Sequence, residues 1–190
     1  MADEQKVADP GPLGLAGFAM TTFCLSSANA GLWKGAGVAA ALSLAFFYGG
    51  ITQLLAGMWE FVRKNTFGAL AFSSFGAFWL GLYALVYFQK AFGANGSTGI
   101  FLLGWTIFTL YMTIAAMKVN MAVLSVFVLL LITFVFLTIG NWGMVGAHSG
   151  MVKIGGWTGL ATAAAAWYAS AAGVINDTHK KVVLPVGPLG

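Results

Sequence analysis

Polar side chains follow one face of the first apolar segment of the chain. At about 100° per residue on a helix, the members of this face fall within a sector of about 80°. They are the aromatic Phe18 at one end, followed by the polar residues Thr22, Ser26 and Asn29. Hydroxyls and an amide in apolar surroundings can hydrogen-bond either a small polar solute or a neighbouring helix. Lipid offers no such partner, so this face must meet protein or water. The segment alone does not decide whether this face contacts a solute or another helix.

The second apolar segment carries an amide and a carboxyl. Gln53 lies within the segment, where it can line a route or hydrogen-bond another helix. Glu60 lies at its end and can pair with Arg63 or Lys64, at spacings of three and four residues. The alternative is that Glu60 handles a proton or the substrate. Hydroxyls also recur on single faces of the later segments, at positions such as Thr106, Thr133, Thr158 and Thr162.

Residue patterns that would support enzyme chemistry are missing from the sequence. His148 and His179 are distant from each other, whereas a zinc site needs three or four convergent ligands. The chain has five acidic residues and no GxxxxGKS/T phosphate loop. Its nine lysine and arginine residues are scattered over the connectors, so nothing indicates nucleic-acid binding. We therefore expect no enzyme activity, no metal, no cofactor and no nucleic-acid partner.

The composition is that of a membrane protein. The chain is 59% hydrophobic and 7% charged, against about 25% charged residues in a typical soluble domain. Its mean hydropathy is +0.87. Six apolar runs are close to the roughly 20 residues that a helical span needs. They are Leu13–Ala30, Gly37–Trp59, Thr66–Phe88, Gly99–Met117, Val119–Ile139 and Met151–Ile175.

These runs predict the fold class, an all-α integral membrane protein with a bundle of six transmembrane helices. Six spans of about 20 residues use most of the 190 residues. We therefore expect residues 1–190 to form a single six-helix transmembrane domain that contacts lipid, with short tails at 1–12 and 176–190. Two prolines, Pro10 and Pro12, mark the start of the first helix, where proline is tolerated.

Motifs along the whole chain resemble the acetate uptake transporters, also called succinate–acetate permeases. That family has the signature Asn-Pro-Ala-Pro-Leu-Gly-Leu, and this chain reads DPGPLGL, with Asp9 for the Asn and Gly11 for the Ala. Further agreement lies in FYGG (47–50), Gln53, NTFG (65–68), IGN (139–141), GW (156–157) and VLP (183–185). Because the matches run in order over nearly all of the chain, the resemblance is more specific than the proline motif alone.

The resemblance implies transport of acetate, with succinate and other small carboxylates as further candidates, by a homo-hexamer in which each subunit has its own pathway. It implies an apolar constriction formed by Phe18, Phe75 and Leu130, with Ala166 beside it. An example from the family has Tyr where this chain has Phe75, so this chain lacks that hydroxyl. We expect a second set of residues to provide the polar lining of the pathway, with Glu60 as the candidate for proton coupling. This set is Thr21, Thr22, Asn29, Tyr48, Gln53 and Asn141.

Two other functions are compatible with the residues. One is a channel for small neutral solutes such as water or ammonia. The other is a membrane scaffold in which the polar stripes only join helices. For a carboxylate transporter, proton symport and an anion channel are both compatible with the sequence, which places no cation in the interior of any span. A full charge at the bilayer centre costs at least about 3 kcal/mol.

The distribution of basic residues predicts the orientation. With six spans, one face holds Lys6, Arg63, Lys64, Lys118, Lys180 and Lys181, and the other holds Lys34, Lys90 and Lys153. Cytoplasmic loops carry the excess of lysine and arginine, so both termini should be cytoplasmic. Reporter fusions after Glu60 and at the C-terminus should report the cytoplasm, and a fusion at Gly93 the opposite side. A cytoplasmic signal at Gly93 would contradict the six-span topology.

Overall fold

A computed structural model describes residues 7–33, 36–92, 97–142 and 149–189. Lys6 and Lys34 of the charge count, and the reporter position Gly93, lie outside the described residues. The elements are α1 (Gly11–Asn29), α2 (Ala36–Phe46), a π-helical segment (Phe47–Thr52), α3 (Gln53–Val62), α4 (Thr66–Phe92), α5 (Ser97–Ala116), α6 (Met121–Gly140) and α7 (Ser149–His179). Helix α2, the π-helical segment and α3 follow one another without a break and form one continuous helical rod. With α1, α4, α5, α6 and α7, the described residues form six such rods. The predicted six-helix bundle is confirmed.

Helix α1 is the element against which much of the bundle packs. It contacts α7 most extensively, and also α2, the π-helical segment, α3 and α4. The other five rods are long and apolar enough to cross a membrane on length and composition. Helix α1 is not among them, because threonines, serines and glycines lower its hydropathy. Its polar face is covered by protein instead, as Thr21, Thr22, Ser26 and Ser27 are all buried.

Glycines allow the helices around α1 to approach closely. A Cβ at Gly17 would lie 2.6 Å from the carbonyl oxygen of Tyr48, and one at Gly14 would lie 2.6 Å from the ring of Phe72. The side chain of Thr21 occupies the space that Gly49 leaves open, where a Cβ would lie 2.5 Å from the Thr21 hydroxyl. Small residues at helix interfaces are the usual means by which membrane helices pack tightly.

Most hydroxyls in the spans are satisfied within the bundle. Thr106 and Thr138 join α5 to α6 at 2.9 Å, and Thr133 donates to Thr158 across α6 and α7 at 3.0 Å. Thr162 donates to the carbonyl of Thr158 on its own helix at 2.9 Å. For these later hydroxyl faces the structure favours interhelical and intrahelical hydrogen bonding over solute contact.

The C-terminal tail (180–189) returns to the start of α6. The N–H groups of Met121 and Ala122 donate to carbonyls of the tail at 2.7 and 3.0 Å. The side chain of Asn120 accepts from the N–H of Val123 at 2.8 Å. First-turn N–H groups have no acceptor within their own helix. The tail and the N-cap residue together provide the acceptors for these three groups.

Asn176 fixes the same tail to the end of α7. Its side-chain oxygen accepts from the N–H groups of Val183 and Leu184 at 2.8 and 2.9 Å, and its amide donates to the Leu184 carbonyl at 2.8 Å. The Ser170 hydroxyl of α7 donates to the carbonyl of Pro12 at 2.7 Å. The start of α1, the C-terminal tail and the α5–α6 turn therefore lie on one face of the bundle.

The packing of α3 on α4 gives a stability prediction with a matched control. A Cβ at Gly76 would lie 2.7 Å from the Leu54 nitrogen, whereas one at Gly104 has nothing within 4 Å. Gly76→Ala should destabilise the protein by about 1–3 kcal/mol through overpacking, and Gly104→Ala should leave stability unchanged or raise it slightly. Thermal unfolding in detergent, followed by tryptophan fluorescence, measures both. Equal midpoints for the two variants would contradict the described α3–α4 contact.

Candidate functional site

A cavity of about 370 Å³ opens between the helix ends on the face that carries both chain ends. We call this cavity the vestibule. Its walls come from the start of α1, the end of α3, the starts of α4 and α6, and the end of α7. Val186 of the C-terminal tail also contributes to its wall. Five separate helices therefore shape a single opening into the bundle.

The inner end of the vestibule is apolar. Phe18, Phe75 and Leu130 line it, and each is 3–4% exposed. The rings of Phe18 and Phe75 have their centroids 5.7 Å apart. Ala166 is fully buried in the same hydrophobic cluster as these three side chains. The structure thus brings together the residues that the family resemblance implied, and we call Phe18, Phe75 and Leu130 the collar.

Helix lengths place the collar about half a membrane thickness from the vestibule mouth. Phe18 is nine residues from Asp9 at the mouth, and Leu130 is ten residues from Asn120. At 1.5 Å per residue, both positions are about 14–15 Å inside the bundle. This is about half of a hydrocarbon core of roughly 30 Å. A solute entering the vestibule would meet the collar where a bilayer is driest.

Aromatic rings hold Phe75 in place. It meets Phe108 of α5 edge-on at 5.2 Å, and Phe127 and Phe134 of α6 at 6.0 and 6.5 Å. Interlocked rings of this kind restrict the movement of one another because interiors are close-packed. The collar is therefore a packed apolar plug and not a loose ring of side chains.

Charged and amide side chains occupy the mouth of the vestibule. Asp9 and Arg63 form an ion pair, and Arg63 also lies 3.8 Å from the carboxylate of Glu60. Asn65 donates to Glu60 at 2.9 Å and accepts from the N–H of Gly68 at 3.2 Å. Glu60 is 1% exposed. Sequence reasoning considered Arg63 only as a partner of Glu60, and it missed Asp9 as the partner that lies closer.

Gln53 is the predicted polar residue that lines the vestibule below the mouth. Its side chain is 1% exposed, and its Oε1 atom has no hydrogen-bond partner among the described residues. The Thr22 hydroxyl and the Trp79 indole N–H, one turn beyond Phe18 and Phe75, are also buried without a partner in that part of the chain. Of these three residues, Gln53 lines the vestibule, and Thr22 and Trp79 do not.

The remaining predicted lining residues lie outside the vestibule. Thr21 donates to the carbonyl of Gly17 at 2.8 Å, and Asn141 donates to the carbonyl of Leu137 at 2.8 Å. Tyr48 and Asn29 are half-buried, in the π-helical segment and at the end of α1. Their role in a pathway stays a prediction. The lining residues Phe127 and Asn176 were not anticipated, although Phe127 lies one turn before Leu130 on the same helix.

An apolar bundle of six helices with a deep vestibule that ends at mid-membrane is the architecture of a membrane channel or transporter. The sequence matches the GPR1/FUN34/yaaH family over residues 1–190, and the chain belongs to this family. It aligns with the solved "Structure of the bacterial acetate channel SatP" with a TM-score of 0.88 and 38% identity, over 96% of this chain and 100% of that one. The chain is thus a multi-pass membrane protein of this family.

Several named relatives are about as similar in sequence to this chain as the solved structure is. The succinate-acetate/proton symporter SatP of Escherichia coli K12 is 37% identical over 96% of each chain. Acetate permease A of Emericella nidulans is 38% identical over 97% of this chain and 67% of its own length. Ammonia transport outward protein 2 of Saccharomyces cerevisiae is 38% identical over 96% of this chain and 67% of its own.

The position of the collar can be tested with two cysteines on α7. Ala169 lines the vestibule, whereas Ala163, which is fully buried, does not. In a Cys24→Ala background, Ala169→Cys should react with a membrane-impermeant thiol reagent supplied from the face of the chain ends. Ala163→Cys should react at least about tenfold more slowly, since the packed collar blocks access. Mass spectrometry of timed samples gives both rates, and equal rates would contradict a closed collar.

Proposed function

We propose that the chain transports acetate across the cytoplasmic membrane, through a separate pathway in each subunit. The observation that carries this proposal is the vestibule, whose inner end is lined by Phe18, Phe75 and Leu130. The names of the relatives support acetate as the substrate and succinate as a second candidate. The family match over residues 1–190 supports a single transporter domain.

The placement of charge limits what can pass. Of the residues that line the vestibule, the ionisable ones are Asp9, Glu60 and Arg63, and all three lie at its mouth. The collar offers no charge to offset the dehydration of a hydrated ion, so it rejects such ions. A small carboxylic acid suits this route, because it can cross as the neutral acid or exchange water for the hydroxyls and amides of the wall. Thr21, Thr22, Asn29, Tyr48, Gln53 and Asn141 are our proposed polar lining, with Ala166 beside the collar.

We propose a homo-hexamer as the assembly. Helix α1 has an exposed apolar stripe made of Leu13, Met20 and Phe23, which are 40–45% exposed in the single chain. Lipid tails are as apolar as these side chains, so the stripe can face either lipid or a neighbouring subunit. The resemblance to a hexameric family is what supports its burial against another subunit. Native mass spectrometry of the detergent-solubilised protein measures the number of subunits.

Ammonia is a second candidate solute. The yeast relative named as an ammonia transport protein supports it, and a small neutral molecule would pass an uncharged collar. Influx of labelled acetate and of ammonia into liposomes that contain the purified protein separates the two candidates. We expect acetate to enter down its gradient without ATP. Ammonia influx without any acetate influx in the same liposomes would overturn the acetate proposal.

Glu60 is our candidate for proton coupling. It is a buried carboxyl that lines the vestibule, and the charged groups facing it are Arg63 of its own helix and Asp9 before α1. Glu60→Gln preserves the shape of the side chain but removes its ability to titrate. The variant should therefore show a flatter dependence of acetate uptake on pH in liposomes. If only thermal stability changed and the pH profile kept its shape, Glu60 would be a structural ion-pair partner.

Removing part of the collar should relax size selection. Leu130→Ala deletes three carbons from the packed ring, and lactate should then compete better with labelled acetate, by about three- to tenfold. Leu102→Ala on α5 is the control, because Leu102 is equally buried but does not line the vestibule. Both variants should lose about 2–5 kcal/mol of stability. An unchanged competition profile for assembled Leu130→Ala would remove Leu130 from the pathway.

A further inference from the structure

Arg63 lies between two carboxylates at the vestibule mouth. The Oδ1 atom of Asp9 accepts from Arg63 and also from the N–H of Gly11, the latter at 2.9 Å. On its other side Arg63 lies 3.8 Å from Glu60. All three charged side chains line the vestibule. Together, one cation and two carboxylates give the lining of this mouth a formal charge of −1.

Arg63 has the chemistry of a carboxylate receptor. It is the only arginine in the chain, and a guanidinium offers a planar fork of donors that matches a carboxylate. Its side chain is 34% exposed, so solutes in the vestibule can reach it. Among the described residues that line the vestibule, it is also the one cation.

The two carboxylates differ in their freedom to leave Arg63. The side chain of Glu60 is 2% exposed and receives a hydrogen bond from Asn65 at 2.9 Å. The side chain of Asp9 is 53% exposed and precedes the first turn of α1. Exposed ion pairs contribute little to stability, so Asp9 can leave Arg63 at a small cost, which includes at most the one bond that it accepts from the Gly11 N–H in the first turn of α1. Asp9 is therefore the carboxylate that can exchange.

We propose that Arg63 docks the carboxylate of the substrate at the vestibule mouth, and that Asp9 competes with the substrate for it. This inference rests on the proposed acetate transport. When a substrate carboxylate replaces Asp9 on Arg63, the guanidinium still faces two carboxylates, as it did before. The exchange therefore adds no further negative charge beside Arg63. The related signature has Asn where this chain has Asp9, and an amide competes less well for a cation than a carboxylate does. Asp9 therefore raises the substrate concentration at which this chain becomes half-saturated.

Chemical modification tests the docking step without transport. Phenylglyoxal reacts with guanidinium groups, so the peptide that contains Arg63 reports a single site. Sodium acetate should slow its modification in the purified parent protein, whereas acetamide with sodium chloride at the same ionic strength should not. In Asp9→Asn, modification should be faster and acetate protection should appear at lower concentration. Absence of acetate protection in the parent would overturn the proposal.

Transport in liposomes at one fixed pH tests the competition. Asp9→Asn keeps an oxygen that can accept from Gly11, and it should lower the half-saturating acetate concentration by about two- to fivefold, the range expected for loss of an exposed ion pair. Arg63→Gln should raise that concentration. The double variant should match Arg63→Gln, because no cation remains to be released. Asp177→Asn is the control, since Asp177 pairs with Lys180 at 3.0 Å and does not line the vestibule.

The outcomes separate this inference from the proposed function. A parent that fails to move acetate would refute the transport proposal, and the phenylglyoxal experiment would still decide whether Arg63 binds carboxylates. A transporting parent with no change in Asp9→Asn would refute the competition. An equal effect of Asp9→Asn in the Arg63→Gln background, or an equal effect of Asp177→Asn, would assign the change to general surface charge. If Asp9→Asn does not assemble, Asp9→Ser keeps an acceptor near Gly11 and serves the same test.

Discussion

Helix α1 carries too many polar groups to face lipid on all sides, and the arrangement of the bundle follows from covering it. Thr21, Thr22, Ser26 and Ser27 are buried against neighbouring helices. Covering them requires close backbone approach, which glycines permit at Gly17 against Tyr48 and at Gly159 of α7 against Ser26. Because α1 also contributes Phe18 to the collar, the packing that hides its polar groups places one wall of the vestibule.

The same helix start connects packing with the entrance. Pro10 and Pro12 set the beginning of α1, and Asp9 immediately before them meets Arg63 at the end of α3. The end of the α2–α3 rod is thus joined to the start of α1 at the vestibule mouth. Among the residues that line the vestibule, the charged ones lie at this end, and the collar residues are apolar. This separation follows from the cost of charge in hydrocarbon, which is high at mid-membrane and falls near the interfaces.

The π-helical segment coincides with two glycines and lies directly before a residue of the vestibule wall. It spans Phe47–Thr52 and contains two successive glycines, Gly49 and Gly50, both buried. A widened turn leaves some carbonyls off the regular α-helical ladder, and the missing side chains let Thr21 and Leu80 fill the space. Immediately after this segment the chain places Gln53 in the vestibule wall. An irregular turn next to a lining residue is typical of functional positions in helices.

The sequence by itself determined the number and class of the membrane helices, and their limits to within about four residues, because a long apolar run forms a helix in lipid, where every backbone polar group must be paired. It also determined the start of α1 through Pro10 and Pro12. It did not reveal the π-helical turn at Phe47–Thr52. The residues Phe18, Phe75 and Leu130 were found through the family resemblance, since periodicity cannot show which apolar side chains from three helices converge.

Only the tertiary structure decided which polar residues meet the vestibule and which join helices. Gln53 lines the vestibule and its Oε1 atom has no partner in the described chain, whereas Ser26 packs against Gly159. The pairing of Arg63 with Asp9, 54 residues apart, was likewise beyond local sequence patterns. The physical reason is that a helix fixes only the angles between its own side chains. What each face meets depends on the rotation and close approach of its neighbours, which glycines distributed over several helices set together.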